Sequence, residues 1–224
     1  MVKLSRLEKT VYILFMVFSL AYTVILFAYP ELPFHFVIKI IPIICLLILS
    51  ALNSKTIIRI LLFAALVFSA AGDAALGIDK QNLFITGLIF FLIAHIFYII
   101  LFFRGFKFNK NSILINISIL IYAVTIGFFL RNIENRYLIP VMVYILIITI
   151  MTIGAGFYST GNKYKTVYFV LIGAVLFMFS DSMLAINEFL YEFPYSSPIV
   201  MIVYYLAQFF IVNGFILKGK YEGD

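Results

Sequence analysis

Long apolar runs recur along the chain, broken by short segments that carry charge, Pro, Gly or Asn. Eight such runs stand out, at 10–29, 34–52, 56–78, 82–103, 111–130, 137–158, 166–187 and 198–217. Each is close to the ~20 residues an α-helix needs to cross the hydrocarbon of a bilayer. The pattern predicts an all-α, polytopic membrane protein with eight transmembrane helices in one domain, 1–224, whose loops leave no room for a soluble module. The first run, from Val11 to Tyr29, is too long for the apolar core of a signal peptide, and no small-residue cleavage site follows it. It is expected to be the first span.

Composition fits this reading: 65% of residues are hydrophobic, 12% are charged, and the mean hydropathy is +1.15. A soluble domain of 224 residues could not hide so much apolar surface. With no Trp, the 15 Tyr must supply the interfacial aromatic belt. The single cysteine, Cys45, excludes an internal disulfide and any multi-cysteine metal cluster. The formal charge of +6 does not point to nucleic acid, because the basic residues follow the loops rather than one stripe. Twelve fall on one side: Lys3, Arg6, Lys9, Lys55, Arg59, Arg104, Lys107, Lys110, Lys163, Lys165, Lys218 and Lys220. Lys80, Arg131 and Arg136 fall on the other. The positive-inside rule then places both termini in the cytoplasm of a multi-pass cell-membrane protein.

Two acidic residues interrupt the apolar pattern in related settings, Gly72-Asp73-Ala74-Ala75-Leu76 and Ser180-Asp181-Ser182-Met183-Leu184. A carboxylate inside a span costs roughly 2.5–3.5 kcal/mol even on lenient insertion scales, so it marks a functional site by default. The two spans lie four apart and run in the same direction. Lys39-Ile40-Ile41-Pro42 also aligns with Tyr137-Leu138-Ile139-Pro140, and Ala94-His95 with Ala207-Gln208. The offsets of 98, 108 and 113 residues suggest a four-plus-four parallel repeat, with halves near 10–103 and 111–217. Sites in such proteins often lie at the repeat interface.

At 1.5 Å per residue, Asp73 is ~7–8 Å below the outer end of its span, and Asp181 and Lys39 lie at similar depth. His95 and Gln208 fall nearer mid-span. These residues are expected to line one cavity open toward the outer leaflet, with Tyr204 and Tyr98 in its wall. Each also has a plainer reading: Lys39 as a snorkelling ammonium, His95 as a neutral core histidine, Gln208 as interhelical glue. No nucleophile elbow, phosphate-cradling loop or His-Glu-x-x-His helix is present. No metal or cofactor is called for. Asp73 and Asp181 are the candidate catalytic acid/base pair, with Lys39, His95, Tyr204 and Gln208 binding substrate or tuning them.

The segments Lys39-x-x-Pro42, Phe68-Ser69-x-x-Gly72-Asp73-x-x-Leu76, Ala94-His95-x-x-Tyr98, Phe179-Ser180-Asp181-x-x-Leu184-Ala185 and Tyr204-x-x-Ala207-Gln208 occur in a fixed order. In this order and spacing the chain resembles the YhhN-type integral membrane proteins, which include the lysoplasmalogenases. It departs from the family pattern where Pro does not directly follow Lys39. The resemblance implies hydrolysis of the vinyl ether of lysoplasmalogen to a fatty aldehyde and a glycerophospho-ethanolamine or -choline, with a lysophospholipid as substrate and partner. Two carboxylates suit that reaction, because protonation of a double-bond carbon needs an acid, and capture of the resulting cation by water needs a base. A small proton- or ion-coupled transporter, or a lysolipid-binding protein without chemistry, would use similar polar residues. The nearly apolar inner halves of the two Asp-bearing spans, Leu61–Ala65 and Val167–Val175, argue against a through-path.

Overall fold

A computed structural model describes residues 4–29, 35–54 and 56–223. Lys3 and Lys55 of the charge pattern lie outside them, as does Phe34 at the start of the second expected span. Among the described residues, eight helices are long and apolar enough to span a membrane: α1 (Arg6–Ala28), α2 (His35–Asn53), α3 (Thr56–Ile78), α4 (Lys80–Phe103), α5 (Asn111–Leu130), α6 (Asn135–Thr160), α7 (Tyr168–Phe189) and α8 (Ser196–Gly223). No strand occurs among the described residues.

Several helices outrun the hydropathy limits because polar residues cap them. Ser5 and Glu8 form a capping box that starts α1 ahead of its apolar run, with the Ser5 amide donating to Glu8 at 2.6 Å. Asp79 ends α3 and caps α4 at once, accepting from the Asn82 amide at 2.9 Å, so a single residue turns the chain. At the other end α8 continues past its apolar stretch because Lys220 pairs with Glu8 of α1. That contact places both ends of the described chain on one side of the bundle.

Six helices, α2, α3, α4, α6, α7 and α8, pack in a closed ring in that order, with α8 returning to α2. Helix α1 leans on the outside against α2 and α8, and α5 leans against α6. The Asp-bearing helices α3 and α7 do not pack against each other; they face across the lumen. The ring contacts recur four helices apart: α2–α3 with α6–α7, α3–α4 with α7–α8, and α4–α6 with α8–α2. A duplicated four-helix unit is our proposal for that recurrence.

Small residues set the closest approaches, as membrane helices require where no hydrophobic force separates protein from lipid. An added Cβ at Gly72 would stand 3.2 Å from the Gly87 carbonyl oxygen, so α3 and α4 cross at these two glycines. At Gly173 it would meet the Ala207 carbonyl oxygen at 2.6 Å and the Ile211 amide nitrogen at 2.7 Å. Backbone atoms cannot rotate away, so Gly173→Val should force α7 off α8. A loss of about 1–3 kcal/mol is expected, the usual range for overpacking, read as a lower midpoint in thermal unfolding of the purified protein. Gly127→Ala is the control, because nothing lies within 4 Å of the added carbon.

Candidate active site

Helix α2 carries Pro42 in its interior, which removes one rung of its hydrogen-bond ladder. Three residues earlier, the Tyr205 hydroxyl of α8 donates to the Lys39 carbonyl oxygen at 2.8 Å. That bond fixes the backbone from which the Lys39 side chain enters the lumen. The Lys39 ammonium does not snorkel to the surface: it lies 3.0 Å from Asp73 Oδ1 and is only 7% exposed. Asp73 Oδ2 accepts a second bond, 2.7 Å, from the Tyr204 hydroxyl.

Behind Tyr204 the donors run in series toward this carboxylate. The Tyr98 hydroxyl donates to Gln208 Oε1 at 2.6 Å, and Gln208 Nε2 reaches Ser69 Oγ at 3.0 Å and the Tyr204 oxygen at 3.4 Å. Each donor polarises the next, which makes the buried chain stronger than its separate bonds. Gln208 is therefore interhelical glue with a direction, joining α8 to α3 and α4. One branch ends on Ser69, and the other reaches Asp73 through Tyr204.

Asp181 is matched to Asp73 in sequence but not in surroundings. Its Oδ2 accepts from the Tyr144 hydroxyl of α6 and lies 3.9 Å from His95 Nε2. No Lys or Arg of the described residues stands within ion-pair distance of it. The His95 ring is fully buried, and neither nitrogen has a hydrogen-bond partner. It packs edge-on against Phe177 at 4.7 Å and Tyr144 at 5.2 Å between ring centroids. His95 thus supports Tyr144, the residue that holds Asp181. Tyr144 was not read from the sequence; its only signal is a hydroxyl deep within an Ile-rich span.

The ring lumen has two lobes. The larger, about 360 Å³, lies between α1, α2, α3, α4, α7 and α8, and Lys39, Asp73, Asp181 and Tyr204 line it. Both carboxylates thus face one volume of the size that binds small molecules, roughly 300–1,000 Å³. The smaller, about 50 Å³, is a mostly apolar cleft between α3, α4, α5, α6 and α7, with Tyr144 and Asp181 among its few polar groups. Leu76, Phe91, Asp181 and Leu184 belong to both walls. His95, Gln208 and Tyr98 line neither lobe; they stand behind the residues that do. Among the described residues no three His, Cys, Asp or Glu side chains converge to hold a metal ion.

Comparison with known proteins agrees with the family resemblance. Lysoplasmalogenase TMEM86A of Bos taurus is 34% identical over 185 residues, covering 78% of this chain and 75% of that protein. Lysoplasmalogenase TMEM86B of Mus musculus is 33% identical over 176 residues, covering 78% and 72%. The human TMEM86B lysoplasmalogenase is 31% identical over 179 residues, covering 80% and 74%. No solved structure matches the chain. Residues 34–215 match the YhhN family across α2 to α8, the helices that build the ring and both carboxylates, and the protein is a member of that family.

Proposed function

We propose that this protein is a membrane-embedded hydrolase that cleaves the vinyl ether of lysoplasmalogen or a related ether lysolipid, releasing a fatty aldehyde and glycerophospho-ethanolamine or -choline. Relatives named lysoplasmalogenase, similar over most of both chains, support the reaction class. The observation that carries the reading is the position of Asp181, shared by a polar lobe and an apolar cleft. An amphiphile with its head in the first and its chain in the second has its head-to-chain linkage at this carboxyl. The other carboxylate, Asp73, lies on the wall of the same polar lobe.

The surroundings of the two residues divide the work. Asp73 receives the Lys39 ammonium and the Tyr204 hydroxyl, two donors that stabilise a carboxylate. Asp181 has no ammonium or guanidinium partner, and an unpaired charge in an apolar wall is costly, so it carries the proton. Asp181 gives that proton to the second carbon of the alkenyl chain, and the double-bond electrons form the new C–H bond. The first carbon and its ether oxygen then share an oxocarbenium charge, which the Asp73 carboxylate stabilises. Water adds to the first carbon and passes a proton to a carboxylate. The hemiacetal hydroxyl gives up its proton as the bond to the glycerol oxygen breaks, that oxygen takes up a proton, and the aldehyde is left. The sum is one vinyl ether and one water to one aldehyde and one alcohol.

Basic residues gather at the end of the bundle where both described chain ends lie, so that end faces the cytoplasm and the polar lobe opens to the opposite leaflet. The chemistry is tested with purified protein in D₂O. One deuterium should appear on the second carbon of the released aldehyde, because the proton must reach carbon. Acyl and alkyl-ether lysolipids of the same length should remain intact. Aldehyde without deuterium at that carbon, or no aldehyde from any vinyl ether lysolipid, would overturn the assignment.

A further inference from the structure

The mouth of the polar lobe is crossed by an ion pair that the chemistry above does not use. Lys80, the first residue of α4, lies 2.6 Å from Glu188 near the end of α7. Helices α4 and α7 meet here through side chains, with the Phe84 and Phe189 rings 5.4 Å apart, and the pair joins these two walls of the lumen. Both side chains are partly exposed, Lys80 at 41% and Glu188 at 27%, and an exposed pair of this kind adds little to stability. Lys80 lines the lobe, with Asn187 beside Glu188 and with Ser196 and Ser197 at the start of α8. The mouth therefore presents one cation and one anion, mutually satisfied while nothing else is bound.

We propose that Lys80 and Glu188 form the head-group site of this cavity, with Lys80 taking the phosphate and Glu188 the ammonium of a zwitterionic lysophospholipid. This rests on the reading of the lumen as a lysolipid site. A head group that carries both charges can replace each partner of the pair with its own ion and leave no charge unpaired. A head group with phosphate alone would leave Glu188 without a cation, which is how the pair discriminates. The depth is suitable: five residues of α3, ~7–8 Å at 1.5 Å each, separate Asp73 from the helix end beside which Lys80 begins. The glycerol and phosphodiester of a lysophospholipid bridge that interval, leaving the sn-1 ether at the carboxylates and the amine at the rim. The neighbouring hydroxyls of Ser196 and Ser197 are additional donors for phosphate oxygens.

Equilibrium binding of uncleavable 1-O-alkyl lysophospholipids to the purified full-length protein tests the proposal. Ethanolamine, choline and bare-phosphate heads of one chain length would be compared by scintillation proximity with tritiated ligand. Glu188→Gln should weaken the ethanolamine and choline ligands by about tenfold, through loss of the charge contact that both cationic heads make, and leave the bare-phosphate ligand unchanged or tighter. Lys80→Gln should weaken all three. Retained binding of the bare-phosphate ligand also shows that Glu188→Gln has folded. Equal effects of Glu188→Gln on all three heads, or none on any, would overturn the assignment. Because no bond is cleaved in this assay, its result is independent of aldehyde release. Head-group selectivity without turnover would sink the reaction and keep the site, and turnover without selectivity would do the reverse.

Discussion

Asp181→Asn should lower aldehyde release from lysoplasmalogen by about 10²–10⁴-fold, the usual contribution of a positioned general acid. Asn fills nearly the same space and still accepts from the Tyr144 hydroxyl, so the fold and the apolar cleft should survive. What it lacks is a proton to give to carbon. His95 cannot substitute, because its ring lies behind the lumen wall, held between Phe177 and Tyr144. Tyr144→Phe should cost less, about tenfold, because it frees the carboxyl from its orientation without removing it. Asp181→Gly opens room for a small acid, and added formate should then restore part of the lost rate. The measurement is single-turnover aldehyde formation under saturating enzyme, which isolates chemistry from binding. Full activity in Asp181→Asn would remove this residue from the mechanism.

The different roles proposed for the two carboxylates rest on neighbours that their matched sequence settings do not reveal. In sequence each sits in an apolar helix near a Ser, Ser69 four residues before Asp73 and Ser180 next to Asp181, and the two look alike. Lys39 and the Tyr204–Gln208 turn were legible, because a charge or amide inside an apolar span is rare and has few uses. Tyr144 was not, because tyrosine is also the belt residue of this Trp-free chain and 15 of them form a background. His95 was found by its rarity, but its place behind the wall was hidden. Hydropathy gives depth along a span and says nothing of which way a side chain turns. The ring was unreadable for a related reason. Lipid and protein interior are equally apolar, so no amphipathic stripe separates the inner helices from α1 and α5. Only the small residues at crossings, such as Gly72 and Gly173, carry that information, and their partners lie on other helices.

Lys39→Met should destabilise the protein by about 3–5 kcal/mol, because it leaves Asp73 as a buried carboxylate without its cation. Asp73 is 1% exposed, and the Tyr204 hydroxyl alone does not balance a charge. Asp73→Asn should cost a similar amount by stranding the Lys39 ammonium. The double variant, Lys39→Met with Asp73→Asn, removes both charges and should recover most of the loss, giving a large coupling energy in a double-mutant cycle of thermal midpoints. Activity should not recover with stability. The double variant lacks the carboxylate proposed to stabilise the oxocarbenium ion, so aldehyde release should stay low in a protein that is folded again. This split separates a structural ion pair from one that also serves catalysis. If the pair only held α2 to α3, restoring the fold would restore the rate. If Lys39 were a surface residue, Lys39→Met would change neither. The geometry of a 3.0 Å contact at the wall of the larger lobe predicts a third outcome, recovered stability with lost turnover.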